Sequence, residues 1–318
     1  MGTNVPTLVH VGFMKSGSTS LQDNVFAKHS GILNIWKPDP GALLRQMINV
    51  EDNELDLPAI DALLSSNRSR AERESKVLVL SNEVLTSTPA LWPAAHRIKR
   101  FLPNSKIFLC IREQKAIIES YYLYNFRHLA AVFGVPEKYH GLPVSFDEFF
   151  QIHFPDGDEQ EKQTLRHTRL WLRLRYMRTA SLYREIFGDD NVLVLPIEMT
   201  RMDPETFAAR LEAFCGIDAA ETGELLSLKK KNVGTDRGEI AYERWRQYLP
   251  GSIAFSKIVP FGSRLRSLAK SVANRDSEHV IEWTEEKTNK INSLYAAQNA
   301  ELAEVYNLDL GKYGYLVE

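Results

Sequence analysis

Short apolar runs alternate along this chain with longer segments in which apolar residues recur at helical spacing. The apolar runs predict strands that are covered on both faces, at residues 8–12, 77–81, 106–111 and 192–196. The predicted helices follow Gly17 and span about 113–130, 163–187, 204–214 and 285–306. Strands that alternate with helices predict an α/β fold with a central parallel sheet flanked by helices. Ligands of such sheets bind at the carboxyl ends of the strands.

We expect residues 1–318 to form a single domain, with excursions from the central fold at about 36–70 and 250–276. Proline and glycine mark the first excursion, which ends in a polar, helix-compatible segment. The second excursion contains residues 261–275, which include four basic residues and no acidic one. This basic segment is a solvated helix face, a lid, or a contact for an anionic acceptor.

A loop rich in glycine and hydroxyl groups follows the first predicted strand. Residues 9–21 read VHVGFMKSGSTSL, in which Gly12 and Gly17 have the spacing of the nucleotide-kinase loop G-x-x-x-x-G-K-[ST]. That loop requires lysine where this chain has Ser18, and the only lysine here is Lys15. The nearby hydroxyl groups belong to Ser16, Ser18, Thr19 and Ser20. These features predict an anion site at a helix N-terminus, or else a turn whose hydroxyl groups only cap the helix.

An arginine follows another predicted strand. Arg112 lies at the carboxyl end of the strand at 106–111, and Ser120 lies eight residues further along the next helix, which is about two turns. An arginine fork with a nearby hydroxyl group could bind a second phosphate. Arg112 could equally form an ion pair with a neighbouring carboxylate.

The order and spacing of these segments resemble those of sulfotransferases that use 3′-phosphoadenosine 5′-phosphosulfate (PAPS) as the sulfonate donor. Residues 13–21, FMKSGSTSL, are similar to the 5′-phosphosulfate loop of that family, and Arg112 with Ser120 matches its 3′-phosphate motif. Residues 183–204 are similar to the helix, strand and acidic turn of the family's second half. Residues 299–302 together with 313–315 are similar to the C-terminal segment of many bacterial members. Met14 replaces the usual proline, and Ser18 replaces a common threonine.

The resemblance implies a P-loop-like, sulfotransferase-type fold with three layers, α/β/α, and transfer of a sulfonate group from PAPS to an acceptor. Lys15 would stabilise the charge that grows on the leaving phosphate oxygen. The implied donor-binding residues are Lys15, Ser16, Gly17, Ser18, Thr19, Ser20, Arg112, Ser120, Lys230 and Lys231. The last two belong to a lysine run that matches the family's basic loop only loosely and is equally typical of a solvated surface.

Glu83, just past the strand predicted at 77–81, is the expected catalytic base, in a region where the family places histidine or glutamate. A glutamate has an ordinary pKa of about 4.3, so it must be partly desolvated or act as the acceptor hydroxyl becomes acidic in the transition state. The alternative for Glu83 is a helix-capping or ion-pairing carboxylate. His10 is a lesser candidate for the base, because a histidine inside an apolar strand usually packs.

By analogy with bacterial members, we expect the acceptor to be a hydroxyl group of a carbohydrate or glycolipid. Side chains after Arg112 could line the acceptor pocket, although core and rim packing is their commoner role. They are Tyr121, Tyr122, Tyr124, Phe126, Arg127 and His128. Trp36, Trp171 and Trp245 are expected to pack rather than to bind a ligand.

Composition and charge limit the remaining possibilities. The chain is 44% hydrophobic and 25% charged, and its net charge of −2 argues against general affinity for nucleic acid. No pattern typical of a signal peptide or membrane span is present, and Cys110 and Cys215 lack the spacing of a metal site or redox pair. We therefore expect a cytoplasmic protein with two buried free thiols and no transmembrane segment. The resemblance to PAPS-dependent sulfotransferases further implies that the reaction requires no metal. The oligomeric state, a homodimer included, is left open.

Two other functions fit parts of the sequence. A P-loop kinase or hydrolase that uses nucleoside triphosphates would explain the glycine spacing, but Ser18 occupies its lysine position and no acidic strand end suits magnesium. A nucleotide-binding interaction module without catalysis would explain the loop alone. The presence of both Lys15 and Glu83 favours an enzyme over that module.

Overall fold

The structure is a computed structural model that describes residues 5–35, 50–86, 91–125, 145–156, 170–228 and 281–318. Several predictions concern residues outside these ranges. They are the lysine run with Lys230 and Lys231, the excursion at 250–276, part of the excursion at 36–70, and Trp36, Phe126, Arg127, His128 and Trp245.

The chain divides into two compact units. The first comprises Met1–Gln114, Arg173–Lys231 and Asn292–Glu318, and the second comprises Lys115–Leu172 and Asn232–Ile291. The prediction that residues 1–318 form a single domain stays a prediction.

Among the described residues, a five-stranded parallel sheet forms the centre of the first unit. Its strands are β1 (Thr7–Gly12), β2 (Ile32–Asn34), β3 (Val77–Ser81), β4 (Lys106–Ile111) and β5 (Val192–Pro196). They lie in the order β2-β3-β1-β4-β5, and each neighbouring pair is parallel. The α/β fold with a central parallel sheet is thus confirmed, as are the four predicted strands. Because β1 lies between β3 and β4, the order reverses there, and the crevice of such a sheet opens at that point.

Helices alternate with the strands. The α-helices of the described residues are α1 (Ser18–Ser20), continued by a π-helical segment (Leu21–Phe26), then α2 (Leu57–Arg73), α3 (Leu91–Phe101), α4 (Gln114–Asn125), α5 (Phe146–His153), α6 (Leu170–Arg173), α7 (Tyr176–Phe187), α8 (Met199–Met202), α9 (Pro204–Cys215), α10 (Ala219–Ser227) and α11 (Glu285–Tyr306). Short 3₁₀-helices lie at Asp52–Glu54, Glu83–Thr86, Asp189–Asn191 and Gly311–Tyr313. Asp56, Asp203 and Asp218 cap the starts of α2, α9 and α10, because each side chain accepts a hydrogen bond from the N–H three residues on. The helices predicted at 204–214 and 285–306 are confirmed as α9 and α11.

The helix predicted over 163–187 is interrupted, so the prediction of one continuous helix is wrong. Residues 163–169 lie outside the described ranges, α6 ends at Arg173, and α7 begins at Tyr176. Leu174 and Tyr176 are both buried, at 2% and 1% exposure. On an uninterrupted helix they would point about 200° apart, so a break allows both to be buried.

The centre of the sheet is apolar apart from one histidine. All six residues of β1 are buried, including His10, whose Nδ1 lies 2.7 Å from Ser81 Oγ. The His10 ring lies between Phe26 and Phe108, at centroid distances of 5.4 and 5.2 Å. Burial lowers the pKa of His10 to about 3, so the ring is neutral. This is the packed arrangement expected of a histidine in an apolar strand.

The second unit contains a cluster of aromatic rings of its own. Phe146 on α5 lies 5.4 Å from Tyr122 and 5.3 Å from Trp283, measured between ring centroids. Trp283 Nε1 donates a hydrogen bond of 2.8 Å to Glu119, which satisfies its polar end. Tyr122, a candidate for the acceptor pocket, is fully buried here and packs.

Both cysteines are buried free thiols, as predicted. Burial raises the pKa of Cys215 to about 11, so this thiol is protonated at neutral pH. None of the helices in the described ranges has the length and apolar character needed to cross a membrane.

We predict that Phe108→Ala lowers the free energy of unfolding by about 3–5 kcal/mol, because it removes a fully buried ring from β4. Urea unfolding followed by circular dichroism measures this loss. The control is Trp92→Ala, which removes a ring that is 59% exposed. A loss in Phe108→Ala no larger than in Trp92→Ala would contradict the packing described above.

Candidate active site

The pairing register brings the segments that follow four strands to one edge of the sheet. His10 pairs with Ser81, Gly12 with Leu109, and Ile111 with Pro196. Because the strands are parallel, the loop after β1, the turn after β3 and the residues after β4 and β5 all emerge at this carboxyl edge. The predicted anion loop, Glu83 and Arg112 therefore lie on the same side of the first unit.

Two glycines give the loop after β1 its path. Gly12 and Gly17 have φ angles of 124° and 73°, which residues with a side chain rarely adopt. A Cβ atom on Gly12 would lie 2.6 Å from Thr86 Oγ1 and 3.2 Å from the Glu83 carbonyl oxygen. A Cβ atom on Gly17 would lie 2.6 Å from Ile197 Cγ1. Glycine at position 12 thus lets the turn that carries Glu83 approach the loop.

Strand β4 and its end hold the loop in place. The Phe13 N–H donates a hydrogen bond of 2.7 Å to the Cys110 carbonyl oxygen. Arg112 Nη1 donates to the Lys15 carbonyl oxygen at 3.0 Å. Lys15 has a φ of 63°, an unfavourable conformation for a residue with a long side chain. The hydrogen bond from Arg112 helps to hold Lys15 in this conformation.

Lys15, Glu83 and Arg112 interact electrostatically. Burial lowers the pKa of Lys15, the Glu83 carboxylate raises it, and the Arg112 guanidinium lowers it. Burial raises the pKa of Glu83, whereas a hydrogen bond with Ser18 and the charge of Lys15 lower it. The structure therefore brings together the expected cation, the expected base and the expected phosphate-binding arginine, which are separated by up to 97 residues in the sequence.

The Ser18 hydroxyl group connects the loop to Glu83. It donates a hydrogen bond of 2.9 Å to the Phe13 carbonyl oxygen, and a hydrogen bond with Glu83 lowers the pKa of that carboxyl group. One hydroxyl proton can serve only one acceptor at a time, so ionised Glu83 competes with Phe13 for it. Protonated Glu83 could instead donate to Ser18.

The other predicted hydroxyl groups differ in exposure. Ser16 is fully buried, and its Oγ has no hydrogen-bond partner among the described residues. Thr19 is exposed and Ser20 is half-buried at the start of the helical segment. An unsatisfied buried hydroxyl group is uncommon and is consistent with a site that receives a polar ligand.

Three residues of the site were not singled out from the sequence. Glu198, after β5, accepts a hydrogen bond of 3.1 Å from the Glu113 N–H and one of 3.2 Å from the Tyr315 hydroxyl group. The Tyr176 hydroxyl group donates to the Arg112 carbonyl oxygen at 2.5 Å. Glu198 and Tyr315 fall inside the segments that resemble sulfotransferases, but short segments do not show which residues meet in space.

Other predicted site residues lie elsewhere. Ser120 is half-buried on α4 and belongs to the second unit, so its pairing with Arg112 stays a prediction. Tyr121 is buried and Tyr124 is 56% exposed. Trp171 is buried at 5% exposure, in agreement with the packing expected of it. Within the described ranges, no group of three or more His, Cys, Asp and Glu side chains could hold a metal ion.

The comparisons with known proteins concern the fold. No family model matches the sequence, and no curated protein matches it either. A sulfotransferase structure from Alicyclobacillus acidocaldarius aligns over 97% of this chain and 98% of its own, with 16% sequence identity and a TM-score of 0.54. A mouse sulfotransferase, SULT7A1 complexed with PAP, aligns over 96% of this chain and 89% of its own, with 14% identity and a TM-score of 0.43. The chain has a sulfotransferase-type α/β fold, so the predicted resemblance is confirmed at the level of the fold.

We predict that Glu83→Gln stabilises the protein at neutral pH. Burial raises the pKa of Glu83 in the folded state, so folding is penalised once pH exceeds that pKa and the carboxyl group is ionised in both states. At a pH below the pKa of an exposed glutamate, both states bind the proton and the penalty disappears. Thermal unfolding at pH 7 and pH 4 should show a higher midpoint for Glu83→Gln only at pH 7. A lower midpoint at pH 7 would mean that the contacts of ionised Glu83 outweigh its desolvation.

Proposed function

We propose that this protein is a sulfotransferase, which moves the sulfonate group of PAPS to an acceptor hydroxyl group. The observation that supports this function best is the position of Lys15, within electrostatic reach of both Glu83 and Arg112 at the carboxyl edge of the sheet. A lysine inside the loop, with a carboxylate as base nearby, suits transfer of a group from a phosphate oxygen to an acceptor.

The residues of the site fit an anionic donor. Burial lowers the pKa of Lys15 most, and the positive charge of Arg112 lowers it further. An anion bound near both cations would favour the charged form of Lys15. The buried Ser16 hydroxyl group has hydrogen-bonding capacity that no described residue uses. The N–H groups at the start of a helix also favour anions. The 5′-phosphosulfate group of the donor would be held by Lys15, by Ser16 and by the start of the helix at Ser18.

The proposed reaction forms one bond to sulfur, breaks another, and moves one proton. The acceptor oxygen bonds to sulfur while the bond between sulfur and the bridging oxygen of the 5′-phosphate breaks, which leaves 3′-phosphoadenosine 5′-phosphate. Glu83 takes the proton of the acceptor hydroxyl group, and its raised pKa makes it a stronger base than an exposed glutamate. The Lys15 ammonium group meets the negative charge that develops on the bridging oxygen. Arg112 keeps Lys15 in place through the Lys15 carbonyl oxygen.

We also propose which residues bind the 3′-phosphate and which class of acceptor receives the sulfonate group. Ser120, Lys230 and Lys231 would complete the donor site at the 3′-phosphate. By analogy with bacterial sulfotransferases, the acceptor would be a hydroxyl group of a carbohydrate or glycolipid in a cytoplasmic reaction.

We predict that Lys15→Ala lowers kcat by about 10²- to 10³-fold, because it removes the charge that stabilises the leaving oxygen. Transfer of radiolabelled sulfonate from PAPS to saccharides, phenols, alcohols and lipids measures the rate and identifies the acceptor class. Lys28→Ala is the control, since Lys28 is exposed and its ammonium group contacts Asn24 one turn away.

Two results would overturn the proposed function. One is calorimetry in which the wild-type protein does not bind 3′-phosphoadenosine 5′-phosphate. The other is an unchanged rate in Lys15→Ala. A magnesium-dependent release of phosphate from ATP would instead favour a P-loop kinase or hydrolase.

The pH dependence of kcat/KM provides a separate prediction. The reaction requires ionised Glu83 and protonated Lys15, so the rate should fall below the pKa of Glu83 and above the pKa of Lys15. The pKa of Glu83 is raised from 4.5 and that of Lys15 is lowered from 10.5. The bell-shaped profile should therefore be narrower than that of an enzyme whose glutamate and lysine have their ordinary pKa values. Residual activity of Glu83→Gln should lack the acid limb, and Lys15→Arg should move the alkaline limb to higher pH. An acid limb that persists unchanged in Glu83→Gln would exclude Glu83 as the base.

A further inference from the structure

Glu198 connects the end of β5 with the end of β4. The Ile197 N–H donates a hydrogen bond of 2.8 Å to the Ile111 carbonyl oxygen, which extends the pairing of the two strands by one residue. The next residue, Glu198, then accepts the Glu113 N–H on Oε1 at 3.1 Å. A carboxylate that accepts a main-chain N–H so close to a strand end restricts the direction in which the chain leaves that strand.

The C-terminal segment supplies the second partner of this carboxylate. Tyr315 is 3% exposed, and its hydroxyl group donates to Glu198 Oε2 at 3.2 Å. The segment is held on either side, because the Tyr315 N–H donates to the Leu310 carbonyl oxygen at 3.2 Å and Asn299 Nδ2 donates to the Leu316 carbonyl oxygen at 2.8 Å. Each oxygen of Glu198 therefore has a donor, and the donors come from different parts of the chain.

Arg112 lies at the centre of the contacts that Glu198 organises. It directly precedes Glu113, and its own carbonyl oxygen accepts the Tyr176 hydroxyl group at 2.5 Å. Its guanidinium group donates to the Lys15 carbonyl oxygen at 3.0 Å. Burial raises the pKa of Glu198, and the charge of the same guanidinium opposes that rise, so the two charges lie within reach of each other. A displacement of the Glu198 side chain would therefore move Arg112 in two ways: through the hydrogen bond to the Glu113 N–H, and through the attraction between the carboxylate and the guanidinium group.

We propose that Glu198 and Tyr315 are positioning residues of the active site. Tyr315 orients the Glu198 carboxylate, which holds the main chain after Arg112, and Arg112 in turn holds Lys15. The C-terminal segment thereby contributes to the donor site through Glu198 and Arg112. The expected effect on donor binding rests on the proposed function. The expected effect of Tyr315 and Glu198 on the main chain at the end of β4 does not.

The first test removes a single hydroxyl group. Tyr315→Phe should weaken the binding of 3′-phosphoadenosine 5′-phosphate by about 5- to 10-fold in calorimetry, because a misdirected Arg112 displaces the loop. Tyr313→Phe is the matched control, since it removes a hydroxyl group from a buried tyrosine two residues away, and it should change the affinity less than twofold. Both variants are measured well below their unfolding midpoints, so that a loss of affinity does not reflect unfolding.

The second test does not depend on the nucleotide. Hydrogen exchange followed by mass spectrometry on peptides that contain Glu113 should show faster exchange of its amide in Tyr315→Phe than in Tyr313→Phe, by about tenfold. If the wild-type protein does not bind the nucleotide, the proposed function fails, and the exchange rates still decide the positioning inference. Unchanged exchange at Glu113 in Tyr315→Phe would overturn the inference whatever the nucleotide does.

The third test separates hydrogen bonding from charge. Glu198→Gln keeps an oxygen that can accept the Glu113 N–H, whereas Glu198→Ala keeps none. We expect Glu198→Gln to retain most of the nucleotide affinity and amide protection that Glu198→Ala loses. Equal losses in the two variants would overturn positioning by hydrogen bonds and assign the effect to the charge of Glu198.

Discussion

Lys15 and Glu83 are both half-buried in the folded chain, and each favours the charged form of the other. Burial alone would favour the neutral form of both groups. The opposite charge nearby reduces that cost, but only while the two side chains stay close. The geometry of the carboxyl edge of the sheet serves this requirement. Gly12 leaves room for the turn that carries Glu83, and Arg112 holds the Lys15 main chain.

This arrangement is costly to the fold. Lys15 has a left-handed main-chain conformation, Ser16 buries a hydroxyl group that no described residue satisfies, and Arg112 adds a second positive charge close to the first. Unfavourable conformations and unsatisfied groups persist where the surrounding structure holds them, and they concentrate at functional sites. Their combination at one edge of one sheet is a reason to consider this edge the active site, independent of any resemblance to known proteins.

Much of the site could be predicted because its residues directly follow strands that have a strong apolar signal. Lys15, Glu83 and Arg112 come within four residues of the ends of β1, β3 and β4, and parallel pairing brings such positions to one edge.

The short strand β2 and the break between α6 and α7 were missed. β2 has only three residues and pairs with β3, and the break reflects the burial of Leu174 and Tyr176 rather than a glycine or proline. Glu198 and Tyr315 were missed as a pair because they are separated by 117 residues.

The sequence by itself determined the local elements: the strands, the glycine loop, the lysine displaced from its kinase position and the acidic residue after β3. These features depend on residue type and spacing over a few positions, where main-chain geometry and apolar periodicity dominate. Only the tertiary structure decided which charges meet, which hydroxyl groups are buried and which side chains hold Arg112. Those outcomes depend on desolvation and on distances between remote segments, and the register of the sheet sets both.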